Sequence, residues 1–157
     1  MGDLLHLQPG QKPWKPTRDS ELVETFLYNN MPLVGVIREG GTSYLFRCVE
    51  GFADETHVWA YARVDEENLD KLRRADELWM PLEDLTSGKS LVVAVATDDD
   101  GIVAACYFGY EFASILESDA IVERLLYGDM AAFLPMPGYE DKARRALNDL
   151  LDTLSSA

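Results

Sequence analysis

Residues 32–49 read Pro32-Leu33-Val34-Gly35-Val36-Ile37, then Arg38-Glu39-Gly40-Gly41-Thr42-Ser43, then Tyr44-Leu45-Phe46-Arg47-Cys48-Val49. Two β-rich runs, Leu33–Ile37 and Tyr44–Val49, flank a polar turn with two glycines. Glycine reaches positive φ at no steric cost, so this is the signature of a β-hairpin. A second loop, Glu50–Thr56, leads into His57–Val64. There the side chains alternate: His57, Trp59, Tyr61 and Arg63 face one way, and Val58, Ala60, Ala62 and Val64 the other. With loops this short, three antiparallel strands in chain order are predicted.

The pattern extends outward in both directions. Leu91–Thr97 and Ile102–Tyr110 form a second predicted hairpin around Asp98-Asp99-Asp100-Gly101. Between Tyr139 and Leu154 the apolar positions are Ala143, Ala146, Leu147, Leu150, Leu151 and Leu154, one stripe of a helix that starts after Pro137-Gly138. The small residues Ala94, Ala96, Ala104 and Ala105 imply a closely packed cover, for which this helix is the best candidate. Asp65 is a good N-cap for a short helix that buries Leu69 and Leu72. Pro81 ends the segment running through Trp79, and Gly88 ends a short turn starting near Leu82. Asp119–Tyr127 is predicted helical, ending at Gly128. Glu21–Tyr28 is ambiguous. Leu22, Val23, Phe26 and Leu27 fall on one helical face, while Glu24 interrupts the alternation of a strand, so a short helix is predicted.

Residues 1–18 carry Pro9, Gly10, Pro13 and Pro16, which break regular structure, and read as an irregular arm ahead of one domain at 19–157. Trp14 sits in this arm. Docking on its own domain is favoured over docking on a partner, because an exposed Trp is a liability. The expected fold is α+β: a mostly antiparallel sheet of about five strands with the C-terminal helix packed against it.

A chain of 157 residues suits one domain. Its 47% apolar content excludes wholesale disorder. Net charge is −14, from 14 basic and 28 acidic side chains. It is uneven: residues 1–20 net +1, 21–64 net −3, 65–100 net −7 and 101–157 net −5. Such charge repels phosphate backbones, which argues against nucleic acid as a partner. No apolar run approaches the roughly 20 residues of a membrane helix. The first residues lack the basic start and apolar core of a secretory signal, so a cytoplasmic location is expected. Two cysteines, Cys48 and Cys106, make no disulfide framework and are expected reduced and buried.

Catalytic motifs are absent from the sequence: no phosphate loop, no GxGxxG after a strand, no GxSxG elbow. His6 and His57 are the only histidines. His57 could face Cys48 across paired strands, but nothing evident orients it, and Cys48 shares a core-like face with Tyr44 and Phe46. Zinc spacing is missing, and Asp98–Asp100 lacks the alternation of a calcium loop, so it reads as a hairpin tip. Neither metal nor cofactor is expected. His57, Trp59, Tyr61 and Arg63, with Trp14, are the candidate binding residues, since aromatic and Arg side chains on one face resemble a hot spot. The competing reading is that the chain's own elements cover that face.

The order of these elements, Pro32–Ile37, a glycine turn, Tyr44–Val49, an acidic loop and Trp59–Val64, resembles small bacterial domains of unknown function. The resemblance spans roughly residues 20–90 and implies a bacterial or phage origin and an intracellular accessory role. No catalytic residue carries over from it. Taken together, the expectation is a non-enzymatic acidic interaction module binding a basic protein, as an immunity protein, antitoxin, inhibitor or accessory subunit does, with a homo-oligomer possible. The alternative is a small-molecule sensor with a pocket between the two hairpins, lined by Trp59, Tyr61 and Tyr107.

Overall fold

The computed structural model describes residues 5–52, 56–74, 90–98, 100–109 and 134–155. They build one antiparallel sheet of seven strands in chain order: β1 (Glu21–Tyr28), β2 (Pro32–Glu39), β3 (Thr42–Phe52), β4 (Thr56–Arg63), β5 (Ser90–Thr97), β6 (Gly101–Gly109) and β7 (Leu134–Pro135). Helix α1 (Glu66–Arg74) comes after β4, and helix α2 (Glu140–Ser155) closes the chain. The fold is α+β, as expected, with β1 and β7 beyond the five expected strands.

The hairpin of β2 and β3 closes between Glu39 and Thr42, with φ of 55° at Gly40 and 84° at Gly41. Two consecutive positive φ values match the right-handed strand twist, so the turn costs these two glycines little. The β5–β6 hairpin pairs Thr97 with Gly101 around the acidic tip.

Glu21–Tyr28 is a strand and not the helix predicted from its apolar spacing. Register shifts leave Val23 and Phe26 as extra residues in β1. Each bulge moves the side-chain phase by one residue, which converts a strand's period of two into the helix-like grouping of the apolar positions. The same bulges blunt the free edge of β1 against pairing with another chain. Leu22, Val23 and Tyr28 remain exposed there.

Both faces of the sheet are buried, which is why so many strand positions are apolar. One face holds Val36, Leu45, Val58, Ala60, Val93, Val95 and Val103, covered by Ala143, Ala146 and Leu150 of α2 and by Leu69 of α1. Spacing of 0, 3 and 7 puts the three α2 residues on one stripe. Glu140 and Asp141 in the first turn of α2 offset the positive end of its dipole. The opposite face holds Ile37, Tyr44, Phe46, Trp59, Tyr61, Ala94, Ala96, Ile102 and Ala105. Among the described residues, no helix covers it. The N-terminal arm does, through Leu5, Leu7 and Trp14.

The cover over the alanines therefore differs from the expectation. Ala94, Ala96 and Ala105 lie under the arm, and only Ala104 belongs to the helix side. A bulge between Val95 and Ala96, opposite Ala104 and Ile102, switches the phase between them. The helix expected at Asp119–Tyr127, the elements near Pro81 and Gly88, and the side chain of Leu72 lie outside the described residues.

Candidate functional site

Strand alternation sends His57, Trp59 and Tyr61 to the arm side, and the arm lies directly on them. Tyr61 donates its hydroxyl to the Pro13 carbonyl at 2.7 Å. Trp14 tilts against Trp59 with ring centroids 6.1 Å apart, and Phe46 also meets Trp59 in a tilted pair at 6.2 Å. Such tilted pairs contribute beyond their buried area. Trp59 and Tyr61 are each only 1% exposed. Between the arm, His57 and Trp59 a space of about 10 Å³ remains, room for no more than one water. Trp14 thus docks at home, and the space expected for a ligand beside Trp59 and Tyr61 is filled by the chain itself. Tyr107's side chain lies outside the described residues.

Backbone bonds hold the arm in place. Gly10 N–H donates to the Ile102 carbonyl, and Ile102 N–H donates to the Gln11 carbonyl, each at 2.9 Å. The arm meets β1 through a reciprocal pair, in which Thr17 N–H donates to Ser20 Oγ and Ser20 N–H to Thr17 Oγ1. At its tip Lys12 Nζ donates to the Asp98 carbonyl at 3.3 Å. His57 Nδ1 lies 3.1 Å from Asp98 Oδ1, close enough for an ion pair but not aligned as a hydrogen bond. Of the five candidate residues, Trp14, His57, Trp59 and Tyr61 come together. Arg63 sits exposed at the far end of β4, opposite Tyr44.

Cys48 does not face His57. It pairs with Trp59, and the adjoining bulge sets Gly51 opposite His57. Cys106 lies on the other face, among the helix contacts, so the two free thiols are separated by the sheet. Burial pushes the Cys106 thiol from its ordinary value of 9.0 up to about 11. Burial, followed by the nearby Cys48, also pushes Tyr61 well above its ordinary range. Both groups stay neutral in the folded state while the unfolded chain ionises. The Cys106 contribution is present below about pH 9 and is lost as pH climbs from 9 toward 11, whereas that of Tyr61 begins to fall only above about pH 10. Urea unfolding at increasing pH should show a falling midpoint across that window, and Cys106→Ala should flatten the lower part of the fall. The native thiol should also resist a disulfide reagent at about pH 8, where a buried neutral thiol is a poor nucleophile.

A second site lies where α2 crosses the end of the sheet. There a polar cleft of about 230 Å³ opens. Its sheet wall is Thr56, Thr97 and Asp100, and its helix wall is Lys142, Arg145, Ala146 and Asp149. Spacing of 0, 3, 4 and 7 places these four on one helical stripe. Thr56, fully buried at the start of β4, donates its hydroxyl to Asp149 Oδ2 at 3.3 Å. Lys142 Nζ bonds Asp100 Oδ1 at 2.8 Å. That hydrogen bond holds the Asp100 carboxyl below the usual carboxylate range. Sequence reasoning missed the cleft. Its one signal was the charged row Lys142, Arg145, Asp149 flanking Ala146, meaningful only once α2 is known to cross Thr56. Among the described residues, no group of three His, Cys, Asp or Glu could hold a metal ion, and no helix is long and apolar enough to cross a membrane.

Comparison with protein-family models, with curated proteins and with solved structures finds no match in any of the three.

Proposed function

We propose that the chain is a non-enzymatic, acidic protein-interaction module that captures a basic protein in a bacterial cytoplasm, in the manner of an immunity protein, antitoxin, inhibitor or accessory subunit. The observation that supports this is how charge divides along the chain. Of the net −14, residues 65–100 carry −7 and residues 101–157 carry −5, while residues 1–64 carry only −2. Some charges of the arm, sheet and helices are paired within the chain. Arg73 bonds both Glu24 and Asp70, Lys142 bonds Asp100, and His6 meets Glu39 at 2.9 Å. Segments 75–89 and 110–133 together carry nine acidic and two basic residues. Ser90 and Gly109, which adjoin these segments, are paired across β5 and β6. Charge gathered in this way raises the encounter rate with a basic partner more than it raises intrinsic affinity.

The test is a tagged pull-down against the products of neighbouring genes, with native mass of the complex and association kinetics at several salt concentrations. A stoichiometric basic partner whose on-rate falls steeply with salt supports the reading. A clean monomer or homo-oligomer, or salt-independent association, overturns it. Neutralising Glu83, Asp84, Glu117 and Asp119 to their amides should slow association with such a partner about tenfold at low salt and leave dissociation nearly unchanged.

A further inference from the structure

The arm is anchored at both ends and closed on itself between them. At one end Leu5 is buried against the aromatic face, and His6 N–H donates to Glu39 Oε2 at 3.2 Å. At the other end Thr17 and Ser20 bond each other reciprocally just before β1. Between these anchors a neck forms. Gln8 N–H donates to the Pro16 carbonyl, and Arg18 N–H to Gln8 Oε1, each at 2.9 Å. Beyond the neck, Gln11 N–H donates to the Gln8 carbonyl at 3.3 Å and Lys15 N–H to the Lys12 carbonyl at 2.9 Å. Pro9, Pro13 and Pro16 fix φ at three places. Residues 8–16 are thus an Ω-loop, with its ends together and its shape held by its own bonds.

The bonds that dock this loop on the sheet are a separate set. Gly10 and Gln11 bond Ile102, the Tyr61 hydroxyl bonds the Pro13 carbonyl, and Lys12 Nζ bonds the Asp98 carbonyl. Trp14 rests against Trp59. Undocking breaks these contacts and none of those that shape the loop. We propose that residues 8–16 are a flap that swings off the sheet as one body, hinged at the Gln8–Pro16 neck, and so gates access to Trp59 and Tyr61 while the rest of the chain stays folded. A body that keeps its own hydrogen bonds moves without melting, so only the few hinge dihedrals change. Leu5 and the Thr17–Ser20 pair lie outside the flap and hold the sheet's edge in the open state. The open state is the minor one, because it gives up the Trp14–Trp59 contact and leaves both rings in water.

The experiment is native-state hydrogen exchange of the full chain, read amide by amide by nuclear magnetic resonance in low concentrations of urea. The amides of Gly10 and Ile102 join flap to sheet. They should open together, with opening constants within about threefold of each other and at least about a hundredfold above those of the central amides of β4 and β5. Their opening should depend little on urea, because a swinging flap exposes little surface. The Gln8 amide, in the neck, should open less often than that of Gly10. Tyr61→Phe removes the hydroxyl that holds Pro13 and should raise the opening of Gly10 and Ile102 about fivefold, the effect of one hydrogen bond, with the urea dependence still small. The proposal is overturned if Gly10 and Ile102 share the urea dependence of β4 and β5, which makes the loop a fixed part of the core. It is overturned equally if Gly10 opens without Ile102, or if Tyr61→Phe leaves both unchanged. None of these results depends on whether a basic protein partner exists.

Discussion

A chain that begins at Thr17 should lose its cooperative thermal transition. The arm ahead of it has no helix or long strand among the described residues, yet its Leu5, Leu7 and Trp14 pack over the aromatic face of the sheet. Removing it uncovers Trp59 and Tyr61, now 1% exposed, together with Phe46 and Ile102. Each large aromatic buries roughly 150–250 Å², and at about 25 cal/mol per Å² the uncovered face is worth several kcal/mol. Leu5, itself 1% exposed, is lost outright. The Tyr61 hydroxyl also loses the Pro13 carbonyl that accepts its hydrogen bond. The total is on the order of 8 kcal/mol, comparable with the whole stability of an ordinary domain. Far-ultraviolet circular dichroism during heating, with dye binding to report exposed apolar surface, measures the outcome. Broad, non-cooperative loss of signal with strong dye binding is expected. A sharp transition within a few degrees of the full chain would show that the arm decorates the sheet without completing it. Single substitutions grade the effect: Trp14→Ala and Leu5→Ala should each cost about 3 kcal/mol. Their combination should fall short of the sum, because both pack in the same cluster.

The division between the legible and the hidden parts of the fold comes from the range of the interactions. Gly40-Gly41 between two β-rich runs, the alternation of His57–Val64 and the 3.6-residue stripe of Ala143, Ala146 and Leu150 are local signals, and the structure obeys each. β1 was misread because two bulges change its period, and a bulge is fixed by the partner strand. β7, at two residues, is too short to show any period. The aromatic face was legible, but its cover was not. Trp14 reaches Trp59, and Gly10 and Gln11 reach Ile102, through contacts that no periodicity in a proline-rich arm announces. The cleft was hidden for a related reason. Thr56, Asp100 and Arg145 lie far apart in the chain and meet only because α2 crosses the sheet end. The acidic excess was visible as a total. Only the sheet shows that Ser90 and Gly109, which adjoin the acidic segments 75–89 and 110–133, are paired.

Gly101→Ala should be the most damaging single-methyl addition in the described turns. Gly101 has φ of +72°, which an alanine adopts only at a cost of about 1–2 kcal/mol. Space is the larger difficulty. A Cβ there would lie 2.5 Å from the Gly10 carbonyl oxygen and 2.6 Å from that of Gln11. Both are backbone atoms, and both residues bond Ile102. They cannot swing aside as a flexible side chain would. The methyl must push the arm off the start of β6, breaking two hydrogen bonds and loosening Trp14 from Trp59. A loss of about 4 kcal/mol is expected. Gly40 and Gly41 supply the internal control. They too have positive φ, but nothing lies within 4 Å of the added Cβ. Gly40→Ala and Gly41→Ala should therefore cost only the backbone term, about 1 kcal/mol each. Urea midpoints of the three variants decide the matter, with tryptophan emission reporting on Trp14 and Trp59. If Gly101→Ala costs no more than Gly40→Ala, backbone conformation alone explains the glycine, and the arm is not anchored at β6. If it costs several times more and shifts the emission to the red, the glycine is there because the arm must pass within a methyl's radius of the turn.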